Sequence, residues 1–210
     1  MSVKVVMFDF WGTLCETGTF SPIQQTRNIL RVRVPYSEFV KKLEKSFMQQ
    51  HYNDWNEAFQ NVCKEFNVKP DKFIIERLTG IWNKAWLFAK FYPETEKVLK
   101  DLKAAGYKLV LISNCDNLTK EKILEKFALD EYFDAACFSC DMGVNKTECY
   151  DNILKKLGAT KEEVIMVGDS MESDIKGAER AGIKAILVDR RDRREFSPKV
   201  NSLEQLKQFL

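Results

Sequence analysis

Short apolar runs, separated by stretches of helical periodicity, limit what this chain can fold into more than any other feature. Residues 3–8, 109–112 and 164–167 are rich in Val, Leu, Ile, Met and Phe. Residues 185–188 form a fourth such run and residues 135–138 a weaker fifth. A strand that is apolar at successive positions must be covered on both faces, as in a parallel sheet flanked by helices. The intervening segments supply such helices. Residues 94–105 place Val98, Leu99, Leu102 and Ala105 at helical spacing, with Pro93 before them and Gly106 after. Residues 118–127, 148–157 and 174–181 read the same way, the last stopped by Gly182, and residues 203–209 form a final helix capped by Ser202. Strands alternating with helices predict an α/β fold built on a parallel sheet.

One region interrupts the alternation. From about residue 21 to residue 90 the pattern is helical with no convincing strand. Residues 37–50 carry Phe39, Val40, Leu43 and Phe47 on one stripe, and residues 54–66 and 71–86 follow, rich in Trp and Phe. A block of about 70 residues is too long for a crossover and reads as a subdomain inserted into the α/β core.

Charge and composition exclude several functions. The 33 Lys and Arg residues nearly balance the 31 Asp and Glu, leaving a net charge of +2. Such a balance does not predict a basic face for nucleic acid. No apolar run approaches the ~20 residues of a membrane-spanning helix, so no membrane partner is expected. The N-terminal apolar stretch is too short for a signal peptide and meets Asp9 at once. Six cysteines without a secretion signal predict reduced thiols and a cytoplasmic location. Cys137 and Cys140 have the spacing of a zinc or redox pair, but no second pair or His cluster completes a site. Their apolar context predicts a buried strand. His51, the single histidine, is expected in a polar helical stretch with no ligand partner nearby. The basic run at residues 190–194 is expected as a solvated loop after the last strand.

Ligands of open parallel sheets bind beyond the carboxyl ends of the strands. There the chain offers Asp9 to Leu14, then Ser113 and Asn114, then a loop leading to Lys146, then Gly168 to Asp174. If these segments share one rim, it gathers three carboxylates, a hydroxyl, an ammonium and free backbone N–H groups. Clustered carboxylates repel unless a cation neutralises them, and oxygen ligands suit Mg²⁺. The hydroxyl, ammonium and N–H groups suit phosphate oxygens. One carboxylate can attack phosphorus to form an aspartyl-phosphate.

These four segments, in this order, resemble the motifs of the haloacid dehalogenase-like superfamily, whose members are mostly Mg²⁺-dependent phosphatases. Asp9-Phe10-Trp11-Gly12-Thr13-Leu14 resembles the first motif. The apolar run ending in Ser113-Asn114 resembles the second, and Ser139, Gly143 and Lys146 resemble the third. Gly168-Asp169 with Asp174 resembles the fourth, and Phe91-Tyr92-Pro93-Glu94 resembles the return from cap to core. The resemblance implies a Rossmann-like parallel core at residues 1–14 and 91–210, with an inserted α-helical cap at residues 15–90. It implies Asp9 as nucleophile. It also implies a Mg²⁺ held by Asp9, the Trp11 backbone carbonyl, Asp169 and Asp174. Ser113, Asn114 and Lys146 would hold the phosphoryl group of a small phosphorylated substrate, and Thr13 would support the turn carrying Asp9. The chain would act as a monomer or homodimer.

Two positions depart from the family pattern. The usual second Asp, the general acid and base two residues after the nucleophile, is Trp11, whose indole only donates a hydrogen bond. The Pro that often follows the third-motif Lys is Thr147. A phosphatase without that acid favours aryl or acyl phosphates, unless Glu172 or Glu16 substitutes. An aromatic at position 11 also fits a dehalogenase of the 2-haloacid type, against which the paired Asp169 and Asp174 stand. A non-catalytic member that binds a phosphorylated ligand or a partner is the third reading. In the cap, Trp55, Phe59, Trp82, Trp86 and Phe88 are spaced for packing, and Arg27, Arg31 and Arg33 are candidates to reach an anionic substrate.

Overall fold

The five apolar runs become neighbouring strands in a computed structural model, which describes residues 2–210. Its strands are β1 (Val5–Phe8), β2 (Cys15–Glu16), β3 (Lys90–Phe91), β4 (Lys108–Ser113), β5 (Ala135–Phe138), β6 (Val164–Gly168), β7 (Lys184–Val188) and β8 (Lys199–Val200). Six form one sheet in the order β5-β4-β1-β6-β7-β8. All its pairings are parallel, with Phe8 opposite both Leu111 and Val167. The chain builds outward from β1 to β4 and β5, then returns to lay β6, β7 and β8 on the other side. That reversal places a topological switch point at β1, where the carboxyl ends of β1, β4 and β6 open a crevice.

Between β2 and β3 lie the helices α1 (Pro22–Leu30), α2 (Tyr36–Leu43), α3 (Trp55–Glu65) and α4 (Lys72–Leu87). A π-type turn, Glu44–Met48, continues α2. This insertion has its own cluster of buried side chains, including Phe39, Leu43, Phe47, Phe59, Leu78 and Trp82. Phe47 sits at its centre, its ring 4.7 Å from Trp82 and 5.3 Å from Phe59. The π-type turn buries Ser46, Phe47 and Met48 in succession, which a regular helix would spread over two faces.

The sheet faces are covered by α5 (Thr95–Ala104), α6 (Asn117–Phe127), α7 (Ser139–Met142), α8 (Tyr150–Leu157) and α9 (Lys176–Arg180). Val6, Phe8, Leu109, Leu111, Ile165 and Val167 pack with Leu99 and Leu102 of α5 and Ile123 of α6. Val5, Met7, Val110, Ile112, Val164 and Met166 pack with Ile153 and Leu154 of α8 and Ala178 of α9. The strict alternation along each strand explains why these runs are apolar throughout.

Several elements differ from the sequence expectation. Helix α1 lies inside the block read as helical but was not delimited there, although Ser21 accepts the Gln24 N–H and Pro22 opens the first turn. Two residues of β2 pair antiparallel with two of β3, too few for any periodicity. The helix expected at residues 174–181 begins as a π-type turn, Met171–Ile175, and the last helix is 3-10, Leu203–Gln208. The basic run at residues 190–194 precedes β8 rather than following the last strand. It is also not merely solvated. The Arg190 guanidinium lies 3.8 Å over the Tyr92 ring, pairs with Glu94 and donates to the Thr13 carbonyl at 2.5 Å. His51 lies outside any helix, with Nε2 3.7 Å from Asp141, whose carboxylate is held by Lys120 at 2.6 Å. All six cysteines are free and buried, Cys137 and Cys140 included. No described helix is long and apolar enough to cross a membrane.

Truncating the ring at the centre of the insertion leaves a cavity its neighbours cannot fill. Phe47→Ala is expected to lower the unfolding free energy by about 3–5 kcal/mol, measured by urea titration.

Candidate active site

Strand β1 carries its alternation one residue past its end and so delivers Asp9 to the crevice. The turn after it is tied down from several sides. The Leu14 and Cys15 N–H groups donate to the Phe10 carbonyl, and the Gly12 N–H donates to Cys15 at 2.7 Å. The Leu14 carbonyl accepts from the Thr95 hydroxyl at 2.8 Å and from the Tyr92 N–H at 3.1 Å. The bridge between Trp11 and Cys15 uses the Phe10 carbonyl and Gly12 N–H, leaving the Trp11 carbonyl outside it. Gly12 has φ of +79°, and a Cβ there would lie 2.5 Å from an Asp169 oxygen. Only glycine lets this turn pass so close to the next carboxylate.

Lys146 opens a 3-10 turn capped by Asn145 and points inward. Its Nζ lies 2.5 Å from Asp9 Oδ1 and 2.6 Å from Asp174 Oδ1. Asp174 Oδ2 accepts the Ser170 N–H at 2.8 Å. A Cβ on Gly168 would fall 2.2 Å from the Asp174 carboxyl carbon, so the end of β6 must be bare for Asp174 to fold back. Asp169, at the rim, brings a third carboxylate. Ligand oxygens of Asp9, Asp169 and Asp174 all lie within 4.8 Å of one another.

One ammonium cannot neutralise three carboxylates. Burial pushes Asp9 up to about 8, with Asp174 and Asp169 adding to the rise and Lys146 opposing it. Burial and then Asp174 raise Asp169 to about 6. Burial works against the charge of Lys146, but Asp174 and Asp9 outweigh it and hold its pKa above the ordinary lysine value. Buried carboxylates carrying excess negative charge, all hard oxygen donors, fit a divalent cation such as Mg²⁺.

These groups sit at the floor of a cavity of about 1040 Å³. Asp9, Trp11, Asn114, Lys146 and Asp169 line its wall from the sheet side. Thr13, Ser113 and Asp174 are fully buried behind that wall. The Thr13 hydroxyl reaches Asp9 Oδ2 at 3.5 Å, and the Ser113 hydroxyl has no hydrogen-bond partner among the described residues. Trp11 is half-buried, edge-on to Phe10 at 4.8 Å. Glu16 reaches the cavity, whereas Glu172 is exposed and paired with Lys176 and Arg180, outside it. Arg27, Arg31 and Arg33 do not line it, and the basic groups at its rim are Arg191 and Arg194.

Sequence reasoning missed two cavity carboxylates, Glu44 and Asp116. Glu44 lines the cavity from the helical insertion. It accepts from Asn114 Nδ2 and from Asn145 Nδ2, each at 3.0 Å. A signal was present: Val40, Leu43 and Phe47 form one apolar stripe, the last two buried, and position 44 falls on the same stripe. A lone carboxylate there is out of place in a purely structural helix.

A family model described as haloacid dehalogenase-like hydrolase matches residues 3–182. The glyceraldehyde 3-phosphate phosphatase of Methanothermobacter thermautotrophicus is 26% identical over 194 residues, covering 89% of this chain and 86% of that protein. Among solved structures, a dehalogenase superposes with a TM-score of 0.67 at 24% identity, covering 100% of this chain and 97% of the other. A haloacid dehalogenase-type phosphatase from Thermococcus onnurineus superposes with a TM-score of 0.62 at 22% identity, covering 99% and 97%.

Two outcomes are expected from this geometry. Gly168→Ala displaces the Asp174 carboxylate, so the thermal stabilisation that Mg²⁺ gives the wild type should be lost, read by calorimetry. Without metal, the folded chain keeps protons on Asp9, Asp169 and Asp116, the last raised by burial to about 6. The unfolded chain releases those protons near pH ~4, so the native state binds more protons above that pH and its stability falls as pH rises. In EDTA the melting temperature should be higher at about pH 5 than at about pH 8, and a flat or rising profile contradicts the charge excess.

Proposed function

The chain belongs to the haloacid dehalogenase-like hydrolase family, and from that premise we propose that it is a Mg²⁺-dependent phosphomonoesterase acting through an aspartyl-phosphate on Asp9. The observation that carries this reading is the Asp9–Lys146 contact of 2.5 Å at the floor of a cavity that Asp169 also lines. In this reading residues 15–90 are a cap over a core of residues 1–14 and 91–210. The glyceraldehyde 3-phosphate phosphatase relatives support a small phosphorylated metabolite as the substrate class.

Asp9, in its ionised form, attacks phosphorus from the end of β1. Lys146 holds the carboxylate in line and offers its remaining N–H bond to a phosphoryl oxygen. The Asn114 side-chain carbonyl accepts the Lys146 backbone N–H at 2.9 Å, fixing that residue's position at the rim. Ser113, behind the wall with an unused hydroxyl, is a donor available to a phosphoryl oxygen once the wall adjusts. Asp174 holds the other side of the ammonium, and Thr13 holds the far oxygen of Asp9. A bound Mg²⁺, for which Asp9, Asp169, Asp174 and the Trp11 carbonyl are the ligand candidates, would offset charge on the transferring phosphoryl group. Water then displaces the phosphoryl group from Asp9, restoring the carboxylate.

Trp11 supplies no proton to the leaving oxygen. Aryl phosphates, whose phenolate leaves with least help, are therefore the first probes. The dehalogenase alternative has Trp11 in its favour, but it leaves the buried carboxylate excess without a counter-cation.

With p-nitrophenyl phosphate and Mg²⁺, Asp9→Asn should lose ~10³-fold or more in kcat, and EDTA should abolish wild-type turnover. Wild-type turnover equal to that of Asp9→Asn would overturn the phosphatase reading. Chloride release from a 2-chloroacid that persists in EDTA would favour the dehalogenase instead.

A further inference from the structure

Resting on the phosphatase reading, we propose that Glu44, presented by the helical insertion, is the proton donor and acceptor that replaces the missing second Asp of the nucleophile turn. Its place is defined by two amides whose orientations are fixed independently. Asn114 Oδ1 accepts the Lys146 N–H at 2.9 Å, so Asn114 Nδ2 must face Glu44. Asn145 Oδ1 accepts the Thr147 N–H and hydroxyl, each at 3.2 Å, so its Nδ2 also faces Glu44. One amide thus grips each carboxyl oxygen. Each oxygen keeps a second lone pair, which can carry a proton toward the cavity.

The two asparagines immediately follow Ser113 and precede Lys146, so Glu44 is docked on the backbone that carries the phosphoryl-holding residues. Burial raises the Glu44 pKa over the opposing pull of Asn114, Lys146 and Asn145, which favours a carboxyl that can give up a proton and take it back. Among the other cavity carboxylates, Glu16 is exposed in β2, and Asp116 is occupied as the cap of α6, accepting the Thr119 N–H at 2.8 Å. The π-type turn that begins at Glu44 lies at the join between the insertion and the core, so this donor is in place only when the insertion is docked.

The step balances without another reactant. An Asp9 oxygen forms its bond to phosphorus as the bond from phosphorus to the leaving oxygen breaks, and that oxygen takes the Glu44 proton. Glu44, now a carboxylate, takes a proton from water as the water oxygen bonds phosphorus and the bond from phosphorus to the Asp9 oxygen breaks. Phosphate leaves, and Glu44 is protonated again.

The test is the leaving-group dependence of kcat/KM across substituted phenyl phosphates, from p-nitrophenyl to p-methoxyphenyl, for wild type, Glu44→Gln and Glu44→Asp. Glu44→Gln should lose about 10²-fold on the most basic leaving group and no more than about threefold on p-nitrophenyl phosphate. Glu44→Asp should recover part of the loss. Each rate is read as a ratio to p-nitrophenyl phosphate in the same preparation, so a smaller folded fraction does not alter the result. A Glu44→Gln loss that is equal across the series, or absent, overturns this role while leaving the phosphatase reading intact. Wild-type activity on p-nitrophenyl phosphate no higher than that of Asp9→Asn overturns both.

Discussion

One buried ammonium shared between two buried carboxylates is the interaction around which the rest of the site is arranged. Lys146 touches Asp9 and Asp174 at 2.5 and 2.6 Å, and Asp169, whose charge Lys146 and Arg194 only partly offset, adds a third carboxylate. Removing ions from water costs several kcal/mol each unless they are paired, so such a centre persists only if the surrounding structure enforces it. The enforcement is visible in the backbone. Gly12 and Gly168 lack the Cβ that would push Asp169 and Asp174 away, and Thr13 and Ser170 hold the outer oxygens of Asp9 and Asp174. The excess charge that results is what a divalent cation and a phosphoryl group together can use.

The sheet supplies the convergence. With β1 central and flanked by β4 and β6, the residues after three strands meet at one rim, although they stand at positions 9, 114 and 169 of the chain. The helical insertion then closes the crevice from above. Beside the apolar packing of Leu118 and Trp86, its contacts with the core include specific polar ones. Asn117 exchanges two hydrogen bonds with the Tyr52 backbone, Ser139 donates to the Met48 carbonyl, and Asn114 and Asn145 grip Glu44.

Much of this was legible in the sequence, for identifiable reasons. A strand covered on both faces must be apolar along its length, so β1, β4, β6 and β7 are readable from the runs at residues 3–8, 109–112, 164–167 and 185–188. The rim residues were legible because Asp9 and Ser113 stand at the ends of such runs, Asp169 just beyond one, and Lys146 at the end of the loop that follows another. Glu44 was not singled out: its place on the apolar stripe was readable, but a half-buried carboxylate there is not told from an irregularity in the stripe until its partners, at positions 114 and 145, are seen. Arg190 looked like one member of a solvated basic run, yet Glu94, Tyr92 and the Thr13 carbonyl recruit it from across the chain. Positions 15–16 and 90–91 form a ribbon too short for any pattern. The turns at residues 44–48 and 171–175 have a periodicity that differs from a regular helix by one residue. In each case the missing information was long-range contact.

The central claim is that Asp9 carries the phosphoryl group. Acid-quenching the enzyme during steady-state hydrolysis of p-nitrophenyl phosphate and mapping the digest by mass spectrometry tests it most directly. The account predicts one phosphoryl group on the peptide containing Asp9, removed by hydroxylamine and missing from Asp9→Asn. A phosphoryl group on any other residue, or turnover with no phosphorylated peptide in the quenched wild-type enzyme, would contradict it.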